Sequence, residues 1–441
     1  MEAFPKIPDW ITLEHQVAHI LTDQEQHGWY FDERAARELE STLRREYEET
    51  TQLLRNRHPF VEGSRFTPKR TNARTGYVEG TGVTAQLEHC GKIQSINECS
   101  LTKLKEFNPA SRDHISWILQ THYGWTPSSL TNSGKAVIDE TVLKELGTDI
   151  ALAFLKLLDL TKQLGMISEG VNAWQKLVTT SSRIHHHCSV ATATFRCAHR
   201  TPNLGQVPSD ERFRRLFIAT PGLRMVAADL SGIELRMLAH YLGRYDGGRY
   251  ARILVEGDIH QTNADKIGVT RKQIKTISYA FLYGAGDVKL GYSYDKQLSE
   301  AKARKKGKEI RKAYVDAIPG LKELLEGVHK ASERGYVLGL DKRKILVDKP
   351  HKSLNYLLQG SAAVIAKKWM VTTHDHIKEM DLHCNQLAFI HDELQFESEP
   401  EHVDDLKSLL VLSAAEAGEY YNMRIPVDAE AKDGDTWADT H

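Results

Sequence analysis

Two apolar segments that lie far apart in the chain both run into acidic residues. Residues 225–228 (Met-Val-Ala-Ala) lead directly to Asp229, and two further apolar runs flank the tripeptide His391-Asp392-Glu393. Short apolar runs of this kind are typical of buried strands, and the second pattern predicts a hairpin with two carboxylates at its tip. If the two elements are neighbours in one sheet, Asp229 and Asp392 meet at its edge, where paired carboxylates can bind a hard divalent cation.

Each acidic segment also has a purely structural interpretation. Aspartate is a favoured N-cap, so Asp229 can simply cap the helix that follows it. The tripeptide around Asp392 can be an ordinary solvated turn, because Asp and Glu are common in turns. Two adjacent carboxylates beside a histidine, in an otherwise apolar hairpin, favour the functional interpretation.

Residues 270–286 predict a helix with an unusual surface. Thr270 and Gln273 form a capping-box pattern at its start, and Gly284 marks its end. Residues at four-residue spacing share one face of a helix, and here that stripe has two cations followed by two aromatic rings. Cations bind phosphates and ring faces stack on nucleobases, although a solvated basic turn followed by core tyrosines would give the same pattern. The members of the stripe are Arg271, Lys275, Tyr279 and Tyr283.

The composition indicates a folded protein without a strong overall charge. The 441 residues are 41% hydrophobic and 27% charged, and 58 basic residues against 59 acidic ones leave a net charge of −1. This balance excludes a uniformly basic protein that coats nucleic acid, but it allows a local basic groove beside an acidic site. The N-terminal residues lack the pattern of a signal peptide and no apolar run is long enough to span a membrane, so we expect a cytoplasmic location.

The cysteines and a histidine run offer little evidence for a metal site. The five cysteines include no C-x-x-C pair, so neither a disulfide framework nor a zinc ribbon is predicted. Residues 185–188 read His-His-His-Cys, but neighbours on a strand point to opposite faces and cannot all ligate one ion. We therefore do not expect a metal site there. Residues 190–196, which follow, favour a strand.

The three chemistry-bearing segments together resemble the motifs of family A DNA polymerases. The chain contains D-x-S-x-I-E-L-R at 229–236, then R-x-x-x-K-x-x-x-Y-x-x-x-Y-G at 271–284, then H-D-E at 391–393, in the order of that family. The match is closest to the replicative polymerases of short-tailed phages. It implies an α+β right-hand polymerase fold, with a helical thumb, helical fingers and a palm built on an antiparallel sheet.

The resemblance also implies a division of the chain. The thumb is expected at 1–180, the first part of the palm at 181–257, the fingers at 258–334 and the second part of the palm at 335–441. A Gly-, Arg- and Lys-containing insertion at about 58–108 interrupts the thumb. This insertion can be a flap that contacts DNA, a loop that binds a processivity factor, or a spacer.

The resemblance assigns roles around the acidic tips. Asp229, Asp392 and the backbone carbonyl of Leu230 are expected to hold two Mg²⁺ ions, for which Mn²⁺ can substitute, and Glu393 is expected to support them. Arg271, Lys275 and His260 would bind the triphosphate, with Lys275 also protonating the pyrophosphate. Tyr279 would stack on the incoming nucleotide, Tyr283 would guard the templating position, and Glu234 would exclude ribonucleotides.

Four further residues are expected to contact DNA. Gln359, Asn355 and His391 would lie near the nascent minor groove and the primer end. Arg196 lies in Thr-Phe-Arg, which resembles the family's T-G-R, although Phe195 stands in place of the glycine. A tyrosine at position 279 further implies ready incorporation of dideoxynucleotides.

The expected function is template-directed extension of a DNA primer with dNTPs. Too few residues precede the thumb for an exonuclease domain, so we expect no proofreading in this chain, and a separate exonuclease polypeptide can supply it. A single-subunit RNA polymerase has related motifs, but Glu234 disfavours it. A catalytically inactive DNA-binding replication protein and a two-metal phosphodiesterase are further alternatives. Neither accounts for the acidic residues together with the Arg-Lys-Tyr-Tyr stripe.

Overall fold

The computed structural model describes residues 7–66, 101–127, 129–296 and 298–441, which fold into two compact units. The smaller unit is Arg37–Ala173, and the larger one combines residues up to Ala36 with Trp174–His441. The helices of the described residues are α1 Asp9–His27, α2 Glu33–Arg57, α3 Arg112–Tyr123, α4 Glu140–Leu146, α5 Asp149–Leu164, α6 Trp174–Leu177, α7 Glu211–Arg214, α8 Ile233–Leu242, α9 Arg249–Glu256, α10 Ile259–Ile267, α11 Arg271–Leu282, α12 Asp287–Tyr294, α13 Glu300–Ala317, α14 Leu321–Ser332, α15 Ser353–Glu379 and α16 Val403–Tyr420. None of them is both long and apolar enough to cross a lipid bilayer.

The strands are short and pair mostly as separate ribbons. They are β1 Trp29–Tyr30, β2 Phe60–Phe66, β3 Leu101–Glu106, β4 Arg183–Ile184, β5 His187–Ser189, β6 Ala198–Arg200, β7 Arg224–Leu230, β8 Tyr336–Leu338, β9 Lys344–Leu346, β10 Cys384–Ile390, β11 Glu393–Ser398 and β12 Ala429–Gly434. Two-stranded ribbons form from β1 and β4, β2 and β3, β5 and β6, and β8 and β9.

A four-stranded antiparallel sheet organises the larger unit. Its strand order is β10-β11-β7-β12, and β11 is buried along its whole length. Helix α16 packs on β7 and β12 and also contacts α15, whose 27 residues are largely buried. Strands buried on both faces need continuous apolar runs, which explains why 225–228 carry no polar residue. The sheet therefore places the two acidic segments on neighbouring strands, with Asp229 and His391 exposed at its edge.

Helix α1 packs on β10 and α15, so the first residues of the described chain belong to the sheet-containing unit. The expected thumb at 1–180 therefore does not coincide with one compact unit, because the amphipathic α1 buries Leu13, Val17 and Leu21 in the core of the larger unit. The assignment of the remaining segments to palm and fingers stays a prediction.

The segment expected to form the fingers is helical from α10 to α14. Helices α12 and α13 approach each other closely at two glycines. A Cβ atom added at Gly291 would lie 1.9 Å from the carbonyl oxygen of Ala303, and one added at Gly307 would lie 1.7 Å from that of Asp287. No other residue fits at these positions without separating the two helices.

The smaller unit is built on helices α3 to α5. Its core includes Phe107, Ile118 and Phe154, all fully buried. Strands β2 and β3 pair antiparallel and lie at the two ends of the expected insertion at 58–108, inside its bounds. Residues 67–100 of that insertion lie outside the described residues, and its role stays a prediction.

Two local predictions have opposite outcomes. The capping box is confirmed, because the Gln273 backbone N–H donates to Thr270 Oγ1 and the Thr270 N–H donates to Gln273 Oε1. The predicted strand at 190–196 is wrong, since this segment is the turn that joins β5 to β6. Phe195 has a φ of 60°, which no strand contains, and its N–H donates to the carbonyl oxygen of Thr192.

Candidate active site

Asp229 and Asp392 lie on adjoining strands at one edge of the four-stranded sheet. In the register of β7 and β11, Asp229 is opposite Glu393, and the Leu230 N–H donates to the carbonyl oxygen of Asp392 at 3.0 Å. His391 and Asp392 form the tight connection between β10 and β11. The two residues that the sequence separates are therefore neighbours, as predicted from their positions at strand ends.

The two carboxylates disfavour each other's charge. Partial burial, together with the charge of Glu393, raises the pKa of Asp229 to about 6. Partial burial, together with the charge of Asp229, raises the pKa of Asp392 to about 7. Within the described part of the chain, neither carboxylate forms an ion pair with a basic side chain. Uncompensated carboxylates held side by side fit a site for divalent cations, because such a cation relieves their repulsion.

Glu393 is buried beside this pair, and both of its carboxylate oxygens have partners in the protein. Its Oε1 accepts a hydrogen bond from Trp437 Nε1 at 2.8 Å and another from Gln395, and its Oε2 lies 3.4 Å from His441 Nδ1. Burial alone would raise the pKa of Glu393, but these partners lower it below its usual range. Glu393 is the cross-strand partner of Asp229, and residues directly opposite each other share one face of a sheet, so its charge acts on Asp229.

Helix α11 presents the predicted stripe on the side opposite to its buried face. Ile274, Ile277 and Phe281 are buried, whereas Arg271 and Lys275 are exposed. The guanidinium of Arg271 is held by Asp258, with Nε 2.7 Å from Oδ2. Capping and apolar periodicity thus fix which residues of α11 remain available to a ligand.

Tyr279 connects the stripe to the acidic residues. Its pKa is raised by partial burial and by the charges of Glu234, Asp392 and Asp229, so these three carboxylates lie near enough to act on it. The ring of His260 lies with its centroid 6.2 Å from that of Tyr279. The structure therefore brings His260 and Tyr279 to one surface with the two aspartates.

Glu234 joins three elements of the site. It is only 8% exposed, and its Oε1 accepts hydrogen bonds from Arg196 Nη2 at 2.7 Å and from Tyr283 Oη at 2.8 Å. Arg196 follows Phe195, whose left-handed conformation is the one that glycine adopts most readily. The ring of Phe195 lies 4.8 Å from the guanidinium carbon of Arg343, and this contact helps to hold the non-glycine residue in place.

The other residues predicted to contact DNA differ in how far they are exposed. His391 is exposed at the hairpin tip, and Gln359 is partly buried on α15. Asn355 is buried, and its Nδ2 donates to the carbonyl oxygen of Leu282 at 2.8 Å, which ties α15 to the end of α11. The backbone N–H of Leu230 donates to the carbonyl oxygen of Asp392, and the expected role of the Leu230 carbonyl as a metal ligand stays a prediction.

The sequence did not predict the supports of the site. Asp258, which binds Arg271, is the N-cap of α10. An aspartate directly before a helical segment is the sequence feature that could have predicted this position. Trp437, which holds Glu393, carries no signal in the sequence because its partner lies 44 positions away in the chain.

The comparisons with known proteins agree with this geometry. Residues 83–439 match the model of the DNA polymerase family A. The DNA-directed DNA polymerases of Enterobacteria phage T3 and Escherichia phage T7 are each 31% identical to this chain, over 98% of it and 70% of the relative. A DNA polymerase I from Caldicellulosiruptor bescii is 30% identical over 76% of this chain and 41% of the relative.

Among solved structures, the fold resembles the POL domain of Pol1 from M. smegmatis, in complex with DNA primer-template and dNTP. The TM-score is 0.75 at 21% identity, and the match covers 97% of this chain and 70% of that one. The expected α+β right-hand polymerase fold is confirmed by this likeness. Enzymes of this kind use divalent metal ions. The acidic sheet edge, the family match and the phage relatives together place this chain in family A as a DNA-directed DNA polymerase.

Proposed function

We propose that this chain extends a primer 3′-hydroxyl by two-metal phosphoryl transfer at Asp229 and Asp392. The observation that carries the proposal is the contact between the two strand tips, where the Leu230 N–H donates to the Asp392 carbonyl oxygen. Two Mg²⁺ ions bound there would activate the 3′-hydroxyl and neutralise the triphosphate and leaving pyrophosphate. Mn²⁺ would substitute, because it accepts the same oxygen ligands.

The cationic end of α11 would bind the triphosphate. Arg271 and Lys275 are exposed on one face, and Lys275 lowers the pKa of the nearby His260, after the larger effect of partial burial. Phosphate oxygens would replace Asp258 as the partner of Arg271, since a bidentate contact to phosphate is stronger than a surface ion pair. Lys275 would then be placed to give a proton to pyrophosphate.

Selection of the sugar would depend on Glu234. Its carboxylate is nearly buried and is held by Arg196 and Tyr283, so it cannot swing away from an added 2′-hydroxyl. Because a rigid group excludes a bulkier ligand more strongly than a mobile one, this geometry supports dNTPs over rNTPs. The alternative of an RNA polymerase predicts efficient use of rNTPs, and comparing the two nucleotide classes separates them.

Primer–template DNA is the proposed partner, as in the M. smegmatis complex. The residues proposed to contact this DNA are Arg196, Gln359 and His391. Asn355 would act indirectly, through its hydrogen bond to the end of α11. We also propose that residues 58–108 affect product length, through DNA or a processivity factor. Deleting 67–100 should shorten the products made in one binding event.

We propose that these 441 residues have no proofreading activity. The support is that 97% of the chain aligns with a polymerase domain, so the described fold is accounted for without a nuclease. A metal-dependent 3′-exonuclease activity that survives in Asp229→Ala would contradict this proposal. A separate exonuclease would then be unnecessary.

Primer extension tests the proposed function. Wild-type protein, Asp392→Asn and Asp404→Asn should be compared with each dNTP and Mg²⁺. Asp404 is an exposed carboxylate 3.6 Å from Lys407 and serves as the matched control. We expect Asp392→Asn to lose at least about a hundredfold in rate, because metal stabilisation contributes several kcal/mol. Unchanged extension by Asp392→Asn would refute the mechanism.

A further inference from the structure

Four histidine and cysteine side chains that the polymerase reaction does not use meet beside the candidate active site. His186, Cys188 and His199 each offer a ligand atom, and these atoms all lie within 4.8 Å of one another. Cys197, a buried free cysteine two residues before His199, adds a second thiol, and it is close enough to Cys188 for each thiol to shift the pKa of the other. We call these four residues the His-Cys cluster.

Strand geometry explains how the cluster forms. Residues two apart in an extended segment share a face, so His186, which directly precedes β5, lies with Cys188, and Cys197, which directly precedes β6, lies with His199. The β5–β6 ribbon pairs Cys188 with His199 and places the two faces side by side. His187 turns away, because its Nδ1 lies 2.8 Å from Glu25 Oε2. Three consecutive histidines therefore cannot all ligate one ion. Residues at every second position of the two paired segments can do so together.

The ring nitrogens of the cluster are not satisfied by the protein. His186 is fully buried and His199 is 7% exposed, yet Nδ1 of His186 and Nε2 of His199 have no hydrogen-bond partner. Their other nitrogens have neighbours, since His199 Nδ1 lies 3.3 Å from Cys188 Sγ, within the cluster, and His186 Nε2 lies 3.1 Å from Gln24 Nε2, outside it. Buried polar atoms without partners are rare and call for a missing ligand.

We propose that His186, Cys188, Cys197 and His199 form a structural zinc site. Two thiolates and two imidazoles are a common tetrahedral ligand set for Zn²⁺, and their two negative charges balance the ion in a buried place. Gln24, which is buried beside Cys188 and His186, is placed to orient the ligands from outside. Four protein ligands leave no open position, so the ion would stabilise structure and would not take part in the reaction.

The site would hold the loop that carries Arg196. That residue directly precedes Cys197 and reaches Glu234, and His199 lies with its ring centroid 6.3 Å from that of His391. Cross-linking β5 to β6 would therefore fix Arg196 and the neighbourhood of the hairpin tip. Loss of zinc should raise the KM for dNTP more than it lowers kcat.

The test uses tag-free, reduced, full-length protein. Zinc per chain should be measured by elemental analysis, and Co²⁺ should be added to metal-free protein to look for the thiolate-to-cobalt charge-transfer band of a tetrahedral site. We expect one tightly held zinc per chain and a clear cobalt band in the wild type. Absence of both would overturn the proposal, and so would a Cys188–Cys197 disulfide found by mass spectrometry in protein purified under reducing conditions.

Matched variants locate the ion. Cys188→Ser and Cys197→Ser should lose the zinc, while His187→Ala, which faces away, and Cys384→Ser, which lies on β10, should keep it. Zinc retained in both cluster variants would refute the assignment. If those variants do not fold, the cobalt spectrum of the wild type still decides the outcome. Zinc binding should persist in Asp392→Ala, so this test is independent of the proposed polymerase mechanism.

Discussion

Tyr283 donates a hydrogen bond from its Oη to Glu234 Oε1 at 2.8 Å, and the same carboxylate oxygen accepts from Arg196. This contact links the C-terminal end of α11 to the start of α8. Burial and the charge of Glu234 raise the pKa of Tyr283 to about 12, so the phenol stays protonated and keeps donating at neutral pH. The last member of the stripe is thereby held against the residue proposed to select the sugar.

Tyr283→Phe should weaken the binding of dNTPs. The change keeps the ring but removes a hydrogen bond to a charged group, which contributes about 1 kcal/mol at a half-exposed position. We therefore expect the KM for dNTP to rise about fivefold with little change in kcat. Steady-state single-nucleotide insertion measures both constants, with Tyr420→Phe as a control at an exposed tyrosine. Identical constants for Tyr283→Phe and wild type would show that the bond is not used.

Tyr279→Phe should reduce the use of dideoxynucleotides. The Tyr279 hydroxyl lies near the acidic residues and can take the place of the missing 3′-hydroxyl in the bound nucleotide. Removing it should cost at least about tenfold in ddNTP incorporation, because a hydrogen bond near charged groups contributes about 1.5–3 kcal/mol. Competition between ddNTP and dNTP in primer extension gives the ratio. Strong rejection of ddNTPs by the wild type, unchanged in the variant, would contradict the assignment.

Asp392→Asn should stabilise the protein when no metal is bound. The pKa of Asp392 is about 7 in the folded state against 3.8 for an ordinary aspartate, so folding becomes less favourable as pH rises from the lower value to the higher. Removing the charge should add on the order of 1 kcal/mol at neutral pH, after allowing for solvent screening, and nothing in acid. Thermal unfolding in chelator across a pH series tests this. A lower melting temperature for Asp392→Asn at neutral pH would contradict it.

Glu397 should contribute stability with the opposite dependence on pH. Burial alone would raise its pKa, but His27, Thr220 and Arg183 lower it below the usual range. Its stabilisation is therefore present above the unfolded pKa of about 4.5 and is lost as pH falls through the folded value. Glu397→Gln should cost about 3 kcal/mol at neutral pH, because it leaves partners of a buried charge unsatisfied. The melting temperatures of the two proteins should converge in acid; a constant difference would refute this account.

Local sequence patterns predicted the elements that carry the reaction. Helix α11 begins directly after Thr270, as expected from the capping box, and the hairpin around Asp392 forms two antiparallel strands. These elements follow from capping and apolar periodicity, which depend on neighbours in sequence. The meeting of Asp229 with Asp392 was expected only on the condition that their two strands are neighbours in one sheet, and β7 and β11 are paired.

Contacts between distant segments could not be predicted in the same way. The turn at 190–196 looked like a strand because its residues are apolar and β-branched, yet Phe195 adopts a left-handed conformation. The pairing of β5 with β6 brings Cys188 to His199, and nothing in the run of histidines indicates that register. Glu393 is likewise held by Trp437, a partner fixed only by packing of the chain ends around the sheet.

Counting bound Mn²⁺ in the complex with a dideoxy-terminated primer–template and the next dNTP tests the central claim most directly. The electron paramagnetic resonance signal of free Mn²⁺ gives the number and affinity of the ions that are bound. We predict two ions per complex for the wild type and a loss of affinity in both Asp229→Asn and Asp392→Asn, with Asp404→Asn unchanged. The same number and affinity of ions in all four proteins would contradict a shared metal site at these two strand tips.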